Sequence, residues 1–141
     1  MATVRRFEDL EVWRIAREIE NAVFKITKTT ALSRDYKLIA QLNSSTGSIM
    51  DNIAEGFGRG SRLEFINFLS ISKGSADELK SQLYRCFDRN YIQRIEFDEL
   101  YSKVEILCRK LARFIDYLNK QTRKGQKFQG RSFVANTSNS G

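Results

Sequence analysis

The chain has 141 residues, 41% of them hydrophobic and 29% charged, and its 24 Lys and Arg against 17 Asp and Glu leave a net charge of +7. That length suits one domain with a sizeable core. The absence of any histidine removes the commonest general base and metal ligand, and two cysteines are too few for a structural zinc site or a disulfide framework. No apolar run approaches the ~18 residues of a membrane span and no signal peptide opens the chain, so the expectation is a soluble, cytoplasmic protein without metal or cofactor. Average usage would supply roughly seven prolines, and their complete absence favours long uninterrupted helices.

Four segments repeat apolar residues with the helical period, and none shows the alternation of a strand. The first, from about 10 to 28, follows Asp9 as its expected N-cap and lines up Val12, Ala16, Ile19, Val23 and Ile26. Trp13, Phe24, Ile15 and Ala22 widen that stripe beyond what one bundle face needs. The second segment runs from 34 or 35 to 57 behind Ser33, with Leu38, Leu42, Ile49 and Ile53 as its apolar line. Beside that line Ser45, Ser48, Asn52 and Glu55 share one helical face, a set expected to form a structural polar network against Ser72, Gly74 and Ser75. Gly56, Gly58 and Gly60 are expected to end the helix.

The third helix should open on the capping box Ser61-Arg62-Leu63-Glu64 and run from 62 to about 89, ~40 Å at 1.5 Å per residue. Phe65, Phe68, Leu69, Ser72, Ala76, Leu79, Leu83, Cys86 and Phe87 form its inner face, with Ile66 and Tyr84 off to one side. The fourth, about 97 to 122, carries Leu100, Val104, Leu107, Leu111, Phe114, Ile115 and Leu118. Short connections join antiparallel neighbours, so the predicted fold is all-α: an antiparallel up-down-up-down four-helix bundle over 1–122. Residues 123–141 hold Arg123, Lys124, Lys127 and Arg131 with no acid and few apolar residues. They read as a basic, disordered tail, and they leave residues 1–122 only mildly basic.

Enzymatic chemistry finds little footing. The di-metal carboxylate sites of helical bundles need Glu-x-x-His pairs. Cys86 and Cys108 fall on apolar stripes, where cysteine is usually an inert hydrophobe. The Gly56–Ser61 stretch follows a helix rather than a strand and lacks the P-loop lysine, although the amides opening helix 3, with Arg59 and Arg62 nearby, could hold a backbone phosphate. The suggestive charge feature is the end of helix 4, where Arg109, Lys110, Arg113, Lys120, Arg123 and Lys124 face the single acid Asp116. Two readings stay open for them: interaction with the helix C-terminal dipole, or contact with nucleic-acid phosphates.

Several ordered blocks resemble a known family. They are Phe7-x-Asp9-Leu10-x-Val12-Trp13; Gln41-Leu42 followed by Ser48-Ile49-x-x-Asn52-Ile53-Ala54-Glu55-Gly56; Arg59-x-Ser61-x-x-Glu64-Phe65-x-x-Phe68-Leu69; and Gly74-Ser75-x-x-Glu78-Leu79 with Gln82-Leu83 and Tyr91-Ile92. Over roughly 7–92 the chain resembles the small four-helix-bundle proteins encoded in intervening sequences of bacterial 23S rRNA genes. The resemblance implies a homo-oligomeric ring, typically a homopentamer, and no established catalytic activity. It also implies a fold similar to the accessory variability proteins of diversity-generating retroelements, basic pentamers that associate with a reverse transcriptase and nucleic acid. A ring would place Ile15, Ile19, Ala22, Ile66 and Tyr84 at subunit contacts. The family's basic pair after Gln41-Leu42 is replaced here by Asn43-Ser44, and its Phe-Pro before helix 2 by Ala31-Leu32. The first departure shifts the expected RNA or DNA surface to helix 4 and the tail. A protein–protein adaptor, such as an accessory subunit of a reverse transcriptase or other polymerase, is the alternative function.

Overall fold

A computed structural model describes the backbone of residues 3–131 and the side chains of 3–124. Four long helices, α1 (Glu11–Thr29), α2 (Tyr36–Gly58), α3 (Arg62–Asp88) and α4 (Arg94–Arg131), are joined by short links, with 3-10 turns at Phe7–Asp9 and Ala31–Arg34. No strand occurs among the described residues. The periodic stripes become the core: Val12, Ala16, Ile19 and Val23 of α1, Leu38, Leu42, Ile49 and Ile53 of α2, Phe65, Leu69, Leu79 and Leu83 of α3, and Val104, Leu107 and Leu111 of α4 are all buried. Each large side chain among them contributes roughly 1.5–3 kcal/mol through burial.

α1 packs on α2 and α4, and α3 packs on the same two helices. Lys110 and Lys103 of α4 reach Glu11 and Glu18 of α1, at 3.0 and 3.1 Å. Asp35 at the start of α2 accepts from Tyr91 and Arg89, both at 2.8 Å, and Gln41 accepts from Arg85 at 2.7 Å.

The helix ends differ from expectation for local reasons. Asp9 takes the amides of Arg5 and Arg6 at 3.1 and 3.3 Å and so closes its own 3-10 turn, and Leu10 occupies the N-cap of α1 without a side-chain bond. Ser33 lies inside the second turn, and Asp35 caps α2 by accepting from Leu38 N–H at 3.2 Å. Ser61 caps α3 as expected, accepting from Glu64 N–H. Gly56 does not end α2. It is buried within it, and a Cβ there would sit 2.5 Å from Phe68 Cβ, so its bare backbone lets α3 approach closely. Gly60, at φ +75°, turns the chain between the two helices.

Two further expectations change. α4 continues to Arg131, so the first nine residues assigned to the basic tail belong to a helix; the rest of that tail, 132–141, lies outside the described residues. Ile19 is completely buried in the chain's own core and cannot be a subunit contact. Ile15, Ala22 and Ile66 are half-buried against the core, and Tyr84 is half-exposed with its ring against Phe97 and Tyr101. Ile66 and Tyr84 stand ~27 Å apart along α3, and Ile15 and Ala22 lie on α1, so the remaining four form no single patch.

Candidate nucleic-acid interface

At ~100° per residue, Arg109, Arg113, Lys120, Arg123 and Lys124 fall within an arc of about 100° on α4. That arc lies opposite the buried Leu107, Leu111 and Leu118, and all five cations are exposed. Arg109, Arg113, Arg123 and Lys124 make no ion pair among the described residues. Lys110, at the edge of the arc, is held by Glu11 at 3.0 Å, and Lys120 by Asp116 at 2.9 Å. Both are exposed pairs worth about 0–1 kcal/mol, so either lysine can exchange its carboxylate for a phosphate.

Charge is unevenly spread along this helix. Two cations meet four acids over 94–108, whereas six meet one over 109–124. The continuation to Arg131 bears on the dipole reading. Arg109, Arg113 and Lys120 lie roughly six, five and three turns before that end, whereas the dipole acts only within the last turn. The dipole therefore does not account for them.

Packing brings further cations to the same end of the molecule. Phe57 at the end of α2 contacts Phe65 at the start of α3, whose ring is 5.3 Å from that of Phe114 in α4. Glu11 at the start of α1 meets Lys110. Arg5, Arg6, Arg14 and Arg59 therefore lie at the same end of the bundle as the middle of α4. Arg14 donates to the Asp9 carbonyl at 3.0 Å, and Arg6 lies 3.8 Å from the Asp9 carboxylate. Arg59 pairs with Glu55 at 2.9 Å and covers the Phe68 ring. No spacing rule links Arg5, Arg6 and Arg14 to α4, so their place at this end emerges only in the folded chain. Tyr117 was also missed: it is 56% exposed within the cation stripe.

The predicted polar set divides. Ser48 and Ser75 share a hydrogen bond of 2.7 Å, Asn52 donates to the Ser48 carbonyl and hydroxyl at 2.8 and 3.0 Å, and Ser72 donates to the Ile49 carbonyl at 2.7 Å. Glu55 is not part of this network, since it is exposed and paired with Arg59. Gly74 faces open space rather than α2. Ser45 is buried beside a polar groove of about 320 Å³ lined by Gln41, Ser44, Ser45, Glu78, Ser81, Gln82 and Arg85. The Oε1 of Gln82 is buried there without a hydrogen-bond partner.

Burial pushes the Cys86 thiol up to about 11 and also raises Cys108, so neither holds an appreciable thiolate near neutral pH. Among the described residues, no cluster of three or more Cys, Asp or Glu is arranged to hold a metal ion, and no helix is long and apolar enough to cross a membrane.

Comparison with known proteins locates this architecture. Residues 8–113 match the family model of 23S rRNA-intervening sequence proteins. Among solved structures, the fold is similar to the crystal structure of a protein with unknown function from the S23 ribosomal protein family of Bacteroides thetaiotaomicron VPI-5482. That match has a TM-score of 0.68 and 24% identity, and covers 74% of this chain and 97% of the other. A search of the curated proteins finds no match.

Proposed function

The chain belongs to the 23S rRNA-intervening sequence protein family, and from that premise we propose that it is a non-enzymatic, ring-forming helical-bundle protein that binds RNA or a ribonucleoprotein through its cationic end. One observation carries the reading: the α4 cations lie on the outer face of a helix that continues well past most of them, beyond the reach of its dipole. Arg109, Arg113, Arg123 and Lys124 make no ion pair within the described residues and so are open to phosphate contact. The same chemistry serves DNA.

The bundle is antiparallel, up-down-up-down. The order of cross-helix partners supports this: Glu11 with Lys110 and Glu18 with Lys103 between α1 and α4, and Asp35 with Arg89 and Gln41 with Arg85 between α2 and α3. A closed ring, expected to be a homopentamer, requires two different patches on each copy. Ile15 and Ala22 on α1, and Ile66 and Tyr84 at separate points along α3, are the candidate contacts. Mass in solution tests this, and a monomer at micromolar concentration would remove the ring.

RNA binding is tested by its salt dependence, because phosphate neutralisation releases counterions and log K falls linearly with log salt. Replacing Arg109, Arg113, Lys120, Arg123 and Lys124 together by Gln should abolish binding and flatten that slope. Binding that survives the replacement at low salt refutes this surface. A second reading, a protein–protein adaptor for a reverse transcriptase or other polymerase, is favoured by the exposed Leu63 and Ile71 of α3. Co-purification with and without nuclease separates the two, since a partner retained after nuclease treatment points to direct protein contact.

A further inference from the structure

The geometry points to Tyr117 as a stacking platform for an unpaired base, which makes single-stranded nucleic acid, rather than duplex, the preferred ligand of the α4 surface. This rests on the phosphate-binding reading proposed for the same helix.

Most tyrosines of the chain have work inside the fold. Tyr84 and Tyr101 pack on each other and on Phe97, and Tyr91 donates to Asp35. Tyr117 does not: the residue is 56% exposed and makes no hydrogen bond, ring contact or ion interaction among the described residues. More than half of Tyr117 stays open to solvent, and it lies at the middle of a basic line. Lys110, Arg113, Tyr117, Lys120 and Lys124 follow i, i+3, i+7, i+10 and i+14 on one face, a line ~21 Å long with the ring halfway along it. Arg113 stands one turn before the ring and Lys120 one turn after it.

A cationic track interrupted by an aromatic face is the combination that holds a single strand, with phosphates on the charges and a base on the ring. In a duplex the base faces are covered by their own neighbours, so the ring has no base to stack on and contact is left to the backbone and the groove edges. The rigidity of an unbroken helix fixes the spacing of ring and charges in advance, so little ordering is lost on binding. Stacking and phosphate contact do not read the 2′-hydroxyl, so RNA and DNA single strands of equal length should bind alike.

The test measures fluorescence anisotropy of an unstructured oligoribonucleotide and of a blunt duplex of equal length. Each is titrated with the full chain and with Tyr117→Ala, Tyr117→Phe and Tyr36→Ala. The native protein should prefer the single strand. Tyr117→Ala should weaken single-strand binding roughly 5- to 140-fold, equivalent to ~1–3 kcal/mol at 1.4 kcal/mol per tenfold, and leave duplex binding unchanged. Tyr117→Phe keeps the ring and should bind as the native protein does. Tyr36, exposed at the start of α2 away from this line, provides the control. Single-strand affinity unchanged in Tyr117→Ala, with duplex bound equally well, overturns the stacking role and leaves the phosphate surface standing. Absence of any binding at low salt overturns both. A lower particle mass in Tyr117→Ala also overturns the role, because the ring would then join copies of the chain.

Discussion

The seam between α2 and α3 and the outer face of α4 are both rich in polar residues, and they use them in opposite ways. In the seam, Ser48 bonds Ser75, Ser72 bonds the Ile49 carbonyl, and Gly56 yields its side-chain space to Phe68. Most of its polar groups find their partners within the fold. On α4, Arg109, Arg113, Arg123 and Lys124 project from the face opposite the core with no partner among the described residues. The contrast separates residues that specify how helices meet from residues available to another molecule.

Substitutions should respect that division. The largest effect is expected in the seam, where Leu79→Ala removes a completely buried side chain and should cost ~2–5 kcal/mol in chemical denaturation. Gly56→Ala comes next. Its methyl would meet Phe68 Cβ at 2.5 Å and Phe65 Cδ1 at 3.0 Å, so overpacking of ~1–3 kcal/mol opposes a helix-propensity gain of ~1 kcal/mol. Net destabilisation read from the urea midpoint is the expected outcome, and a more stable variant would show that α2 and α3 separate without cost.

Asp35 tests the edge of the same seam by pH. The Tyr91 hydroxyl, the Leu38 amide and Arg89 hold its carboxyl below the usual value of 3.8. Its contribution is therefore fully present above that value and is lost as pH falls through the lowered one. Asp35→Asn keeps a good N-cap but loses the charge on which Arg89 rests. The melting-temperature gap between native protein and variant should be widest above pH 3.8 and close below it. The smallest effect on stability belongs to α4. Arg109→Gln, Arg113→Gln, Arg123→Gln and Lys124→Gln should each change stability by no more than about 0.5 kcal/mol. A larger loss in thermal melts would place that charge in the folding energetics and break the contrast.

Much of the architecture was legible because it is local. Helical period alone marked the core stripes, and Val12, Leu42, Leu79 and Leu111 are buried as that period required. The outer stripe of α4 was legible for the same reason. The helix ends were less so. Asp9 and Ser33 are good caps by residue type, but Asp9 closes a 3-10 turn and Asp35 takes the cap of α2. Gly56 has the composition of a helix stop, yet it serves a contact with α3 that the α2 sequence does not contain. Ile19 shows the limit of reasoning from a wide apolar arc: only packing reveals which part of the arc faces the chain's own core.

The amino-acid sequence by itself determined four helices, their inward faces and a cationic outer line on the last one, since each depends on residues within a few turns of one another. Tertiary structure alone decided which polar groups are spoken for. Ser48 meets Ser75 across 27 positions, Tyr91 meets Asp35 across 56, and Lys110 meets Glu11 across 99. Hydrogen bonds and ion pairs form between groups a few ångströms apart whatever their separation along the chain. No spacing rule reaches that far, so the groups left for an outside partner emerge only once the helices have packed.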